Sequence, residues 1–110
     1  MQKLSLDARV REHLERAAAS STGRSAETLH GGHEHTLRQT LIAMRAGTTL
    51  AEHENPGEAT VLVLHGRVRL HSGDEAWEGM AGDLLIVPPA RHSLEALEDA
   101  AALLTVAKTP

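Results

Sequence analysis

Eight histidines, at positions 13, 30, 33, 35, 53, 65, 71 and 92, are the residues of this 110-residue chain best suited to chemistry. Cysteine is absent, which excludes thiolate ligation and disulfide staples alike. Two histidines have informative surroundings. His53 lies in the run Glu52-His53-Glu54-Asn55-Pro56-Gly57-Glu58. Residues two apart on an extended strand share a face, so His53 and Asn55 point the same way. His92 follows Pro88-Pro89-Ala90-Arg91, a stiff turn that can aim an imidazole at the same spot. Imidazole nitrogens converging with an oxygen donor make a site for zinc, iron, manganese, copper or nickel.

Other residues invite the same question and have plainer answers beside it. The cluster His30-Gly31-Gly32-His33-Glu34-His35 is rich in ligands and made pliable by its glycines. It could fold over a pocket and bring His35 to it, or be a solvated loop between two strands. Arg91 beside His92, or Arg38 and Arg45, could hold an anionic ligand, although an arginine on a strand commonly just faces solvent. His13, His65 and His71 are read as a helix face, a turn flank and a hairpin end. Trp77 is the only aromatic apart from histidine, and is read as packing. A pocket here would lack the aromatic walls that grip flat ligands.

The elements that position these side chains follow from punctuation and periodicity. Ser5 is a suitable N-cap, and Leu6, Val10, His13, Leu14 and Ala17 form one helical stripe. Asp7/Arg11 and Glu12/Arg16 are i,i+4 pairs with the acid on the favoured side. Ser20-Ser21-Thr22-Gly23 ends the helix. After Gly23, turn signals recur every eight to ten residues or so between short β-prone runs: 37–45, 60–64, 67–71, 84–87 and 101–107. The continuously apolar Val61-Leu62-Val63-Leu64 predicts a strand covered on both faces; Arg67-Val68-Arg69-Leu70 predicts one covered on a single face. Residues 94–102 would tolerate a helix, but are read as strand, turn, strand because Leu103-Leu104-Thr105-Val106 needs a partner. The expected division is residues 1–22 as helix and linker, followed by an all-β domain over 23–110.

Composition narrows the function classes. A net charge of −4 leaves no basic footprint for nucleic acid. No apolar run approaches the roughly 20 residues that span a bilayer, and the charged N-terminus has no signal-peptide core. No membrane partner and a cytoplasmic location are the resulting expectations.

Two glycine-led segments carry a family resemblance. The first runs from Gly47 through His53, Asn55, Pro56-Gly57 and Ala59 to Gly66; the second runs from Gly82 through Pro88-Pro89 to His92. They resemble the cupin motifs G-x5-H-x-H-x3,4-E-x6-G and G-x5-P-x-G-x2-H-x3-N. The first matches in spacing without a gap, and the second is one residue short before His92. The resemblance covers about residues 47–96. It implies a single cupin jelly-roll β-barrel with a short N-terminal α-helix, and a ligand set of three histidines and one glutamate.

This chain departs from that set at two places, with Asn55 at the second histidine position and Ala59 at the glutamate position. His53 and His92 remain as good ligands, and Asn55 offers a neutral carbonyl oxygen. Glu58 is one place from the expected glutamate, on the opposite face of a regular strand unless Gly57 allows a bulge. His65 shares parity with position 59 but lies roughly 20 Å further along the strand. Three readings stay open: a module binding a small ligand, with or without a divalent metal, around His53 and His92; a metal-dependent dioxygenase or isomerase; and a structural homodimer without a working site. Homodimerisation is expected from small size and from what cupins commonly do.

Overall fold

The computed structural model describes residues 1–53 and 57–108, with His53 described in its backbone alone. One helix and nine strands follow in order: α1 (Leu6–Ala19), β1 (Arg24–His30), β2 (Leu37–Met44), β3 (Thr49–His53), β4 (Gly57–His65), β5 (Arg67–Ser72), β6 (Glu75–Met80), β7 (Leu84–Val87), β8 (His92–Ala96) and β9 (Ala100–Lys108). Residues 94–102 are indeed strand, turn, strand. The sequence reading named no strand over β1, whose mixed residues alternate without an apolar run.

The strands form two antiparallel sheets, one of order β1-β2-β9-β4-β7 and the other β3-β8-β5-β6. Short connections carry the chain from one sheet to the other, so the sheets face each other. The expectation was a barrel. Among the described residues no ladder joins β6 to β7 or β1 to β3, so the hydrogen bonding stops short of a closed ring. The four-residue β7 offers little backbone to close it.

The core between the sheets is made of small aliphatic side chains, because the chain has no Phe or Tyr. Val61 and Val63 of β4 meet Val68 and Leu70 of β5, Leu94 and Ala96 of β8, and Ile42 and Met44 of β2. Strand alternation then turns Leu62 and Leu64 to the outer face of the larger sheet. Leu64 is covered there by the helix, so the two-sided burial expected of Val61–Leu64 is met. On β5, Val68 and Leu70 are buried while Arg67 and Arg69, which alternate with them, face outward.

Helix α1 lies on the outside of the larger sheet, with Val10 and Ala17 against Leu41, Ala43 and Ala101. Ala43 and Ala101 have side chains small enough for the helix to approach the sheet closely. Its start is capped by Ser5, whose Oγ accepts the Ala8 N–H at 3.3 Å. Its end is capped from just after β2, where the Arg45 guanidinium donates to the carbonyls of Ala18 and Ser20 at 3.2 and 3.3 Å. Arg45 is therefore a helix cap. Of the two i,i+4 pairs, Glu12–Arg16 forms, at 2.7 Å. One glycine is indispensable to the topology. Gly66, between β4 and β5, has φ +73°, and a Cβ there would lie 2.1 Å from the Asp99 carbonyl oxygen.

Candidate functional site

At one end of the sandwich β3, β7 and β9 finish, β4 begins, and the turn 88–91 brings the chain to β8. His53 and His92 both sit at this mouth. Their approach depends on an irregularity. Leu50 pairs with Leu94, and a regular antiparallel ladder would then set Glu52 opposite His92; the register shifts by one residue, and His53 takes that place. The extra residue is a β-bulge, which re-aims the side chains beyond it. Glu52 is released to the surface, where its carboxylate accepts from Arg91 Nε at 2.9 Å.

His92 alternates with Leu94 and Ala96 on the inner face of β8 and is only 7% exposed. Its Nδ1 lies 3.0 Å from the carbonyl oxygen of Ala90. A carbonyl can only accept, so Nδ1 carries the proton. In the neutral imidazole Nε2 is then the lone-pair nitrogen, which is how metal-ligating histidines are usually oriented. The Pro88-Pro89 turn builds that carbonyl's position, with the Ala90 N–H donating to Pro88 O at 2.8 Å. The shortened second motif thus still delivers a histidine to the inner face.

The other expected site residues are dispersed. Asn55 lies outside the described residues. Ala59 is on the inner face of β4, packed against the core, and brings no donor. Glu58 is exposed on the outer face. The β4–β9 pairing runs without a shift from Gly57 to Val63, so no bulge at Gly57 turns Glu58 inward. Arg91 is exposed and engaged with Glu52. His35 lies on the β1–β2 loop at the same end of the fold, against His30. His65 is at the far end of β4, opposite Ala101. Among the described residues no three of His, Asp or Glu are grouped as a metal set.

A cavity of about 480 Å³ is lined by Glu58, Thr60, Ile86, Pro89, Thr105 and Ala107, among others. Alternation from Val61, Val87 and Leu104, which face the core, turns most of these to the outer face of the larger sheet. That sheet therefore separates the cavity from His92.

A polar cluster lies away from the mouth, under the helix. His13 is 1% exposed; its Nδ1 is 2.7 Å from Ser25 Oγ and its Nε2 2.8 Å from Glu27 Oε1. Arg9 donates to both oxygens of Glu27, at 3.0 and 3.3 Å. The hydrogen bond from His13 holds the Glu27 carboxyl below the usual carboxylate range, and the Arg9 charge adds to this while desolvation opposes it. The sequence reading gave His13 a helix face and no partner. The available signal was a histidine set within an otherwise apolar stripe, which demands polar partners when buried.

Comparison with known proteins bears on the fold. The family model described as Cupin domain matches residues 40–107. No curated protein matches the chain. A conserved protein of unknown function from Streptococcus pyogenes has a similar structure, with TM-score 0.74 and 25% identity over 83% of this chain and 79% of that one. A cupin superfamily protein from Desulfitobacterium hafniense is similar at TM-score 0.72 and 18% identity, covering 78% of each chain. Salicylate 1,2-dioxygenase from Pseudoaminobacter salicylatoxidans is similar at TM-score 0.73 and 22% identity, over 92% of this chain but 32% of that enzyme.

Proposed function

Because this chain belongs to the cupin family, we propose that it is a binding module that takes a small ligand in the mouth between the sheets, around His53 and His92. The observation that carries the reading is the β3 bulge, which sets His53 in cross-strand register with the inward-facing, Ala90-oriented His92. The mouth is the end of the jelly-roll barrel that the family implies. A divalent transition metal (Zn, Fe, Mn, Ni or Cu) fits two positions of this site: His53 and His92 would hold it, with Asn55 as a neutral oxygen donor. Such an ion would supply a Lewis-acid anchor for an oxygen atom of the ligand. Ala59 brings no carboxylate, so the ion would keep open positions and bind less firmly than in a full set.

A metal-dependent dioxygenase or isomerase is the alternative. The structural likeness to a dioxygenase favours it, but at 22% identity that likeness speaks for the fold alone. The absent carboxylate favours binding over catalysis. Glu58, the nearest carboxylate in sequence, faces away from the mouth.

Metal content and affinity test this directly. The expected outcome is an ion in the mouth with micromolar affinity that His53→Ala and His92→Ala each remove. Ala59→Glu should tighten it by about tenfold or more by restoring a charged donor, an effect of about 1.4 kcal/mol. An Ala59→Glu protein that stays folded and binds no more tightly, or mouth binding indifferent to His92→Ala, would overturn the metal reading.

A further inference from the structure

We propose that the loop between β1 and β2 carries a second metal site, anchored by His30 and His35 with Glu34 beside them, that takes a borderline divalent cation such as Cu2+, Ni2+ or Zn2+. The two imidazole rings lie with centroids 4.7 Å apart and planes at 36°. Three features of the backbone bring them together. The register shifts between Thr28 and His30, so that Leu29 is an extra residue against β2, and such a bulge re-aims the last side chain of the strand. Gly31 and Gly32 follow with φ +151° and +145°, values that side chains with a Cβ rarely allow, and the chain turns back through them. Lys108 then fixes the turn. Its Nζ donates to the Gly32 carbonyl at 3.1 Å, and the same oxygen accepts the His35 N–H at 3.2 Å. The base of the loop is thereby tied to the end of β9, while His30 stays exposed.

The donors suit the cations named. Neutral imidazole with a carboxylate favours copper, nickel and zinc over the hard cations. Glu34 Oε1 is 3.7 Å from His35 Nε2, and its side chain is 78% exposed. A cation on that nitrogen would replace a loose contact and keep the carboxylate as a ligand. Two imidazoles already side by side have less ordering entropy to lose on binding. Among the described residues no three donors converge in a finished set, so the site is a two-imidazole anchor with open positions. That form suits reversible capture, since closed four-ligand sites are the structural ones. It sits at the same end of the fold as His53 and His92 but uses none of their atoms, and it does not depend on the mouth reading.

The test is Cu2+ titrated into the full chain, followed by calorimetry and by electron paramagnetic resonance. A signal split by two imidazole nitrogens is expected that survives His92→Ala. His30→Ala and His35→Ala should each weaken this binding by about tenfold or more, and Glu34→Gln by a few-fold. All three positions are on the loop or its edge, and circular dichroism would verify an unchanged fold. Undiminished Cu2+ affinity in the His30→Ala, His35→Ala double variant would overturn the site, as would loss of the two-nitrogen signal on His92→Ala alone. If the mouth also holds an ion, the native chain binds two and His92→Ala one. The two sites therefore fail separately.

Discussion

At the scale of residues, the polar groups of this protein divide by what surrounds them. His92 is held by a backbone carbonyl on the inner face of its strand, which fixes the orientation of its ring. His13 is equally buried, but both of its nitrogens meet protein partners, Ser25 and Glu27. It locks helix to sheet. The Glu27 carboxyl is held below its ordinary value by His13 and Arg9. A carboxyl lowered in the folded state stabilises that state above its unfolded value, about pH 4.3, and this contribution is lost as pH falls through the folded value. Glu27→Gln should therefore lower the urea midpoint at about pH 7, and the gap from the native protein should narrow toward about pH 3. A gap independent of pH would mean that the carboxylate charge does not hold the helix.

At the scale of elements, the helix and the bulges matter most. Helix α1 sits close because Ala43 and Ala101 are buried beneath it and bring almost no bulk. Ala101→Leu should lift the helix off the sheet and cost about 1–3 kcal/mol, read as a lower denaturant midpoint. A midpoint unchanged within error would mean that the helix adjusts freely and contributes little. The helix itself was legible in the sequence down to its Ser5 cap, since capping and a 3.6-residue stripe are local properties. The bulges in β1 and β3 were not legible. Nothing within Leu50–His53 says that one residue will be extra, because a bulge is defined by the partner strand it pairs against. The sequence likewise leaves both a regular strand and a bulge open around Glu58; the pairing with β9 decides for the regular strand, as the pairing with β8 decides the exchange of Glu52 for His53.

At the scale of the whole molecule, one sheet surface is left uncovered by the described residues. The helix packs on β1, β2 and β9, whereas Leu84 and Ile86 of β7 are 55% and 63% exposed on the outer face. Isolated exposed aliphatics are ordinary, but these two share a face, and Ile86 lines the outer cavity with Thr60 and Thr105. We propose a second copy of the chain as the cover, in line with the homodimer expected of so small a domain. Light scattering should give about twice 11.8 kDa, and the double substitution Leu84→Glu, Ile86→Glu should halve that mass. A native mass of one chain would dismiss the dimer; a dimer indifferent to the substitutions would move its interface elsewhere. No helix among the described residues is long and apolar enough to cross a membrane.

The sequence by itself determined the family and, apart from β1, most of the order of elements. Glycine and proline punctuation, apolar periodicity and the spacing from Gly47 to Gly66 are all written along the chain, and backbone sterics translate them locally. It also showed that the ligand set is thinned, because Asn55 and Ala59 can be read off directly. Tertiary structure decided which side chains meet. It turned Glu58 outward, paired the backbone of His53 with that of His92 through a bulge, brought the rings of His30 and His35 together across a glycine turn, and buried His13 between Ser25 and Glu27. Those outcomes depend on register between strands distant in sequence, where a slip of one residue exchanges one face for the other. No local pattern carries that information.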